Sequence, residues 1–473
     1  MRTRNLGVLA IAAVTALAAF GALAAKEKPL PAGLPPYGQD RSLSLPRLAA
    51  TELPNGLKVW LVPRPGFPKV TAVLVVRGGT ASDPREVAGV AEVLAGVVKE
   101  GTVKRSSRQL AEELQAVGGE LDTGATNDAL YVTADCLASG TATLLALLAD
   151  VAQNAAFPTD EVELVKENTL QGLLARASTP EFAADRAFAA LVFGDHPYRT
   201  IAPTESVVQS VTPALLKQEY QRRFRPERAL LVVGGDLDEG KVQKLVQGKF
   251  GGWRGVGVAA PPVPLVGAGT AKEIGLVDRP GSVQSEIRVG RLGPRVADPD
   301  YFPAQVANTI FGGLFSSRLT ENIREDKGYT YSPDSRVSAY AQGGLLAVHA
   351  AVRNEVTAAT LLEIDYEMDR MGATLPTGEE LARAKRYQVG QYLLRNATQE
   401  DLLYTLAKNW INGLPPAALG DFVPRVNAVT AAQVREVGRK YFASRTQTVV
   451  IGGDASKVED QVSQFGAVKR ITP

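Results

Sequence analysis

The feature that most constrains this chain is that it repeats itself once. Leu61-Val62-x-Arg64-Pro65-Gly66 recurs 215 residues later as Leu276-Val277-x-Arg279-Pro280-Gly281, and Asp83-Pro84 recurs at the same offset as Asp298-Pro299. The ends of the halves repeat too, at an offset of 218: Val211-Thr212 with Val429-Thr430, Phe224 with Phe442, and Gly234-Gly235-Asp236 with Gly452-Gly453-Asp454. Each copy reads as strand, turn and second alternating strand, with a helix opening after the Asp-Pro pair, where proline suits a first turn. Each copy closes as a helix, a β-branched strand (Leu230 to Val233; Thr448 to Ile451), a Gly-Gly-Asp turn and another helix. The fold class predicted is α+β. Two homologous domains, each a mostly antiparallel sheet flanked by helices, are joined by a linker and enclose a cleft. Their bounds are about 48–252 and 271–470. The Gly-, Ala- and Pro-rich stretch 253–270, with Pro261-Pro262 and Pro264, reads as the linker.

Composition supports large cores and argues against several functions. Hydrophobic residues are 45% and charged residues 22% of the 473. Lysine plus arginine number 52 against 50 acids, which is not the basic footprint of a nucleic-acid binder. The densest basic run, Arg222, Arg223, Arg225 and Arg228, reads as a solvated helix end. The first 25 residues have the layout of a secretory signal peptide: Arg2 and Arg4, an apolar stretch from Leu6 to Ala24, then Ala22-Leu23-Ala24 before Lys26-Glu27-Lys28. Export to the periplasm, or secretion, is the expectation, with no membrane span in the mature chain, the alternative being that the leader stays as an uncleaved membrane anchor. The single cysteine, Cys136, lies in an alternating strand-like stretch and reads as a buried structural thiol.

The segment Gly89-Val-Ala-Glu92-Val-Leu-Ala95-Gly96-Val-Val-Lys-Glu-Gly101-Thr102 has helical apolar spacing. Here the chain resembles the insulinase/pitrilysin zinc peptidases, in the layout of the mitochondrial-processing-peptidase-like bacterial branch. Their helix carries His-x-x-Glu-His, with two zinc ligands one turn apart and a Glu general base between them. On this chain the two His positions are Glu92 and Gly96, the base position is Ala95, and the third ligand, a Glu on a later helix, falls at Gly172. The resemblance therefore implies a non-catalytic subunit without the zinc motif. The histidine count agrees independently. His196 and His349 are the only two and stand 153 positions apart, so no His pair at i, i+4 exists.

The second half keeps a different motif. Gly312-Gly313-Leu-Phe-Ser316-Ser317-Arg318-Leu319 precedes Ile323-Arg324-Glu325-Asp-Lys-Gly328-Tyr329-Thr330-Tyr331. The family's Ser-Ser-Arg-Leu … Gly-Leu-x-Tyr pattern matches it, with Tyr329 in place of leucine. The resemblance implies that Arg318 and Tyr331 bind substrate backbone opposite a zinc site, as a charged donor fork and a directional hydroxyl. Tyr329 is the competitor for Tyr331. Gly118-Gly119 precedes a strand at about Glu120–Thr133, which in active members pairs with extended substrate; Asp122 stands there where Asn is usual. The expected partner is a homologous subunit with an intact zinc helix, the cofactor being that subunit's zinc and none in this chain, and the substrates unfolded or short peptides. The alternative is a structural or binding module of the same fold with no proteolytic role.

Overall fold

A computed structural model describes residues 33, 38, 43, 46–267 and 272–471. The signal-peptide stretch and the last residues of the expected linker lie outside them.

Among the described residues, twelve strands form two six-stranded sheets. The first contains β1 (Ala49–Glu52), β2 (Lys58–Pro63), β3 (Lys69–Arg77), β4 (Glu120–Ala125), β5 (Ala129–Leu137) and β6 (Ala229–Gly235), in the order β1-β2-β6-β3-β5-β4. The second contains β7 (Ile274–Asp278), β8 (Gln284–Leu292), β9 (Asp334–Ala339), β10 (Gly344–Arg353), β11 (Thr448–Gly453) and β12 (Val468–Ile471), in the order β12-β7-β11-β8-β10-β9. Five strands of each sheet occupy equivalent places, and β3 and β8 begin and end at the offset read from the sequence. Only β2–β6 is parallel in the first sheet. In the second, β7 runs parallel to both β11 and β12. The sixth strand is β1, at the start of its half, in the first sheet and β12, at the end of its half, in the second.

Two details differ from the sequence reading. The stretch expected as one strand at 120–133 is a hairpin, turned at Thr126–Asp128, where the Thr126 amide bonds the Ala129 carbonyl at 2.8 Å. The paired glycines are strand residues rather than a turn. A Cβ at Gly235 would lie 2.1 Å from the Lys69 carbonyl oxygen, and one at Gly234 2.8 Å from a Leu403 methyl.

Each sheet is buried on both faces. Along β3, Val70, Ala72, Leu74 and Val76 enter one core while Val73 and Val75 enter another, the period-2 alternation of a strand. The first face of each sheet is covered by helices of its own half, such as Thr141–Asn154 in the first and Thr357–Ala373 in the second. The second face is covered by a helix borrowed from the other half. Leu402, Leu403, Leu406 and Trp410 of the Gln399–Ile411 helix pack on Trp60, Val73, Val75 and Val232 of the first sheet. Ala184, Ala187 and Phe188 of the Pro180–Phe193 helix pack on Val277, Ala347 and Val450 of the second. These helices are counterparts in the repeat, and each starts at a threonine cap, Thr179 or Thr398. Polar bonds reinforce the exchange: Gln399 Nε2 donates to Thr71 Oγ1 (2.9 Å), and Arg288 Nε to Asp185 Oδ1 (2.6 Å).

The stretch from Trp253 to residue 267 has no regular structure but is tied down. Arg225 Nη1 donates to the carbonyls of Val256 (3.0 Å) and Gly257 (2.9 Å), and Arg228 to that of Ala260. His196 Nε2 meets the Pro264 carbonyl at 3.0 Å, while its Nδ1 accepts from the Tyr198 amide. Arg223 is fully buried, paired with Glu219 and Asp83. The basic run is thus a set of anchors and not a solvated helix end, because irregular backbone leaves carbonyls that need donors. Cys136 is buried in β5 and free, and burial pushes its thiol up to about 11.

Candidate functional site

The segment that resembles the zinc helix is helical over Val90–Val97. Gly89 caps it at φ 98, and Pro203 backbone approaches so closely that a Cβ would lie 2.5 Å away. Asp83 Oδ2 accepts from the amides of Gly89 (2.8 Å) and Ala91 (3.3 Å), so the repeat's Asp-Pro pair positions the helix start. Burial pushes the Asp83 carboxyl upward, against Arg223 and these two amides. Val90, Ala91, Leu94 and Val97 enter the core. Glu92 and Gly96 share the opposite face, as i, i+4 requires.

That face does not fit zinc. The Glu92 carboxylate faces Arg176, at 3.8 Å from Nη1, on the Thr159–Ala177 helix. Burial raises the Glu92 pKa, opposed by Arg176. A Cβ at Gly96 would lie 2.9 Å from Val165 Cγ1, so the helices have closed where a ligand side chain would start. Gly172 is on the same helix as Arg176 and has open space where a side chain would be. The three ligand positions thus supply one carboxylate, already facing a permanent cation. Among the described residues no group of three or more His, Cys, Asp or Glu is placed to hold a metal ion. Ala95 is buried, and its carbonyl accepts from Thr123 Oγ1 at 2.5 Å, which fastens the helix to β4. β4 is an edge strand, and Asp122 on it is exposed and bonded to Lys99 Nζ at 3.0 Å.

The second motif is built differently from its sequence reading. The Tyr301–Asn308 helix widens into a π-helical turn at Thr309–Gly313, and a second π-helical stretch spans Thr320–Asp326. Such wide turns recur at functional sites. Arg318 is 6% exposed and forms a fork-on-fork pair with Glu380, Nε to Oε1 at 2.7 Å and Nη2 to Oε2 at 3.1 Å. Its Nη1 approaches Met371 Sδ at 3.6 Å. Two of its N–H donors are thus committed to a carboxylate inside the second half.

The arginine beside Tyr331 is Arg324. Its guanidinium lies 4.7 Å from the Tyr331 ring centroid and 4.4 Å from that of Phe315. Phe315 and Tyr331 are 70% and 79% exposed, so the stack faces solvent. Its Nε also reaches Glu325 Oε1 at 3.2 Å. Sequence reasoning quoted Arg324 but did not choose it. The carboxylate that meets Arg318 is Glu380 of the capping box Thr377-Gly378-Glu379-Glu380, and nothing in the motif itself points to it. An open depression of about 420 Å³ lies beside Tyr331 and is also lined by Tyr329. A smaller one of about 100 Å³ includes Glu92, Thr126 and Asn127. Each is lined by one half alone.

Comparison with known proteins agrees with this architecture. Residues 58–198 match the family model described as Insulinase (Peptidase family M16), and residues 210–387 match that described as Peptidase M16 inactive domain, together about two thirds of the chain. The chain belongs to the insulinase family. An uncharacterized zinc protease of Mycobacterium leprae is 28% identical over 412 residues, covering 86% of this chain and 92% of the relative. One of Bacillus subtilis is 24% identical over 392 residues, covering 82% and 94%. A crystal structure of a peptidase M16 inactive domain from Pseudomonas fluorescens superposes with a TM-score of 0.79 at 23% identity, covering 86% of this chain and 98% of that one. A protease from Helicobacter pylori gives 0.77 at 16% identity, covering 86% and 99%. The two superpositions establish the shared fold.

Proposed function

We propose that this chain is the non-catalytic, substrate-positioning subunit of a two-chain metallopeptidase, exported to the periplasm and acting on unfolded or short peptides. The partner is a homologous chain whose zinc helix is intact. The observation that carries the reading is the contrast between the two motifs. The metal positions hold a carboxylate facing Arg176 and two glycines, while half-buried Arg324, paired with Glu325, and exposed Tyr331 form a pre-stacked donor pair. Arg324 offers a permanently charged fork and Tyr331 a hydroxyl, both suited to a peptide carbonyl oxygen. Donors held in place before substrate arrives cost no reorganisation when charge develops there. Arg318 is the arginine that the sequence resemblance pairs with Tyr331, and Arg324 is a second candidate donor, the one stacked on the Tyr331 ring.

Co-purification from native extract, followed by a peptidase assay of the pair, tests this. A partner with the His-Glu-His helix and zinc-dependent cleavage by the pair are expected. Arg324→Ala lowers that cleavage on the order of 10²-fold, the scale of losing one oxyanion donor. Robust zinc-dependent cleavage by the chain alone sinks the proposal. Absence of any such partner favours a purely structural module.

A further inference from the structure

We propose that the depression beside Tyr331 is a subsite for a carboxylate of the bound peptide, anchored by Arg353. The inference rests on the reading above that Tyr331 faces substrate, and it adds a substrate class. β10 ends at Arg353, which pairs across the sheet with Gln284 at the start of β8. The loop that carries Tyr329 and Tyr331 is pinned to the same place, because Thr330 Oγ1 donates to the Ala351 carbonyl at 2.7 Å. The loop and the strand ends together enclose about 420 Å³, a volume suited to one side chain or a chain terminus and not to a folded partner.

The chemistry of the walls selects the sign of the ligand. Gln284, Tyr329, Tyr331 and Ser332 are neutral hydrogen-bonding groups, no aspartate or glutamate lines the space, and Arg353 is its one charged wall. Arg353 is exposed, and among the described residues no carboxylate lies within ion-pairing distance of it. Arg318, by contrast, is paired with Glu380. A planar guanidinium with uncommitted donors matches a carboxylate fork. Hydroxyls of Tyr329, Tyr331 and Ser332 can satisfy the remaining oxygen lone pairs. An acidic side chain and a free C-terminus present the same group.

Fluorescence anisotropy with the full chain, at about 0.15 M salt to limit non-specific attraction, separates these sources. Three labelled peptides of one sequence are compared: C-terminal amide with Gln, C-terminal amide with Glu at that position, and free C-terminus with Gln. At least one carboxylate peptide is expected to bind about tenfold more tightly than the amide-Gln peptide, the scale of one charge-assisted hydrogen bond. Arg353→Gln is expected to remove that preference and leave the amide-Gln peptide unaffected. Equal binding of all three, binding of none, or a preference that survives Arg353→Gln overturns the subsite. Tyr331→Ala separates the two readings. If it weakens all three peptides equally and no carboxylate preference exists, the subsite falls and the substrate-facing role of Tyr331 stands. If it changes nothing while Arg353→Gln abolishes a preference, the role of Tyr331 falls and the anion site stands.

Discussion

The Arg318 guanidinium and the Glu380 carboxylate meet fork to fork inside the second half, at 2.7 and 3.1 Å, and both are largely withdrawn from water. Glu380 also accepts from the Thr377 amide at 2.7 Å, so the pair fixes the start of the Gly378–Arg395 helix to the motif segment. The residue that the sequence resemblance offers as a substrate contact is therefore part of what holds the site's frame.

Removing one member strands the other as a buried charge. Arg318→Met is expected to cost about 3–5 kcal/mol, and Arg318→Met with Glu380→Leu together to recover most of it. Denaturant unfolding of the three proteins measures this. A stability loss under about 0.5 kcal/mol for Arg318→Met, the usual range for surface positions, contradicts the structural role.

The same pair has a pH signature. Burial works against the Glu380 carboxylate, but Arg318 and the Thr377 amide outweigh it and hold its pKa below the ordinary 4.5. Its contribution is thus complete above the unfolded value and is lost as pH falls through the folded one. Acidification from about pH 5.5 to 3.5 should lower the wild-type Tm more than that of the double variant. Parallel curves exclude the linkage.

Restoring the motif letters should not restore the metal. Glu92→His, Ala95→Glu and Gly96→His together still lack a third ligand at Gly172, place a Cβ against Val165 and leave Arg176 facing the site. Metal analysis after dialysis against zinc should find no stoichiometric ion, and peptide hydrolysis should stay at background. Stoichiometric, chelator-resistant zinc in this triple variant refutes the fit argument.

The exchange of helices predicts a long-range effect. Leu403 is fully buried against the first sheet although it belongs to the second half. Leu403→Ala is expected to cost about 2–5 kcal/mol. Amide exchange should quicken in β3 and β6, more than 150 positions earlier in the chain. Exchange confined to the neighbourhood of residue 403 contradicts the packing.

Much of this was legible in the residues. The repeat offsets placed β3 and β8 because strand registers tolerate no slip when both faces are buried. The departure from the His-x-x-Glu-His letters was legible because ligands need particular atoms at particular spacing, and of Glu92, Ala95 and Gly96 only Glu92 carries any. The choice between Arg318 and Arg324 was not. Both sit in one motif, and which of them is buried depends on Glu380, some sixty residues away, and on the π-helical winding between them. The borrowed helices were hidden for a similar reason. An apolar stripe such as Leu402, Leu403, Leu406 and Trp410 declares that it needs a sheet, not which of two similar sheets it will meet. The basic run misled because a solvated arginine and one bonded to loop carbonyls look alike in composition.

The loan of one helix from each half to the other makes the chain a covalent counterpart of a domain-swapped dimer, in which identical elements change places between protomers. What holds such a molecule together is the apolar underside of its sheets and helices. The residues at 92 and 172 are exposed and on none of those surfaces, and residue 96 touches them only at Val165. A duplicated gene of this fold can therefore shed its metal-binding side chains one by one without loosening the frame, and the product survives as a folded chain open to other employment.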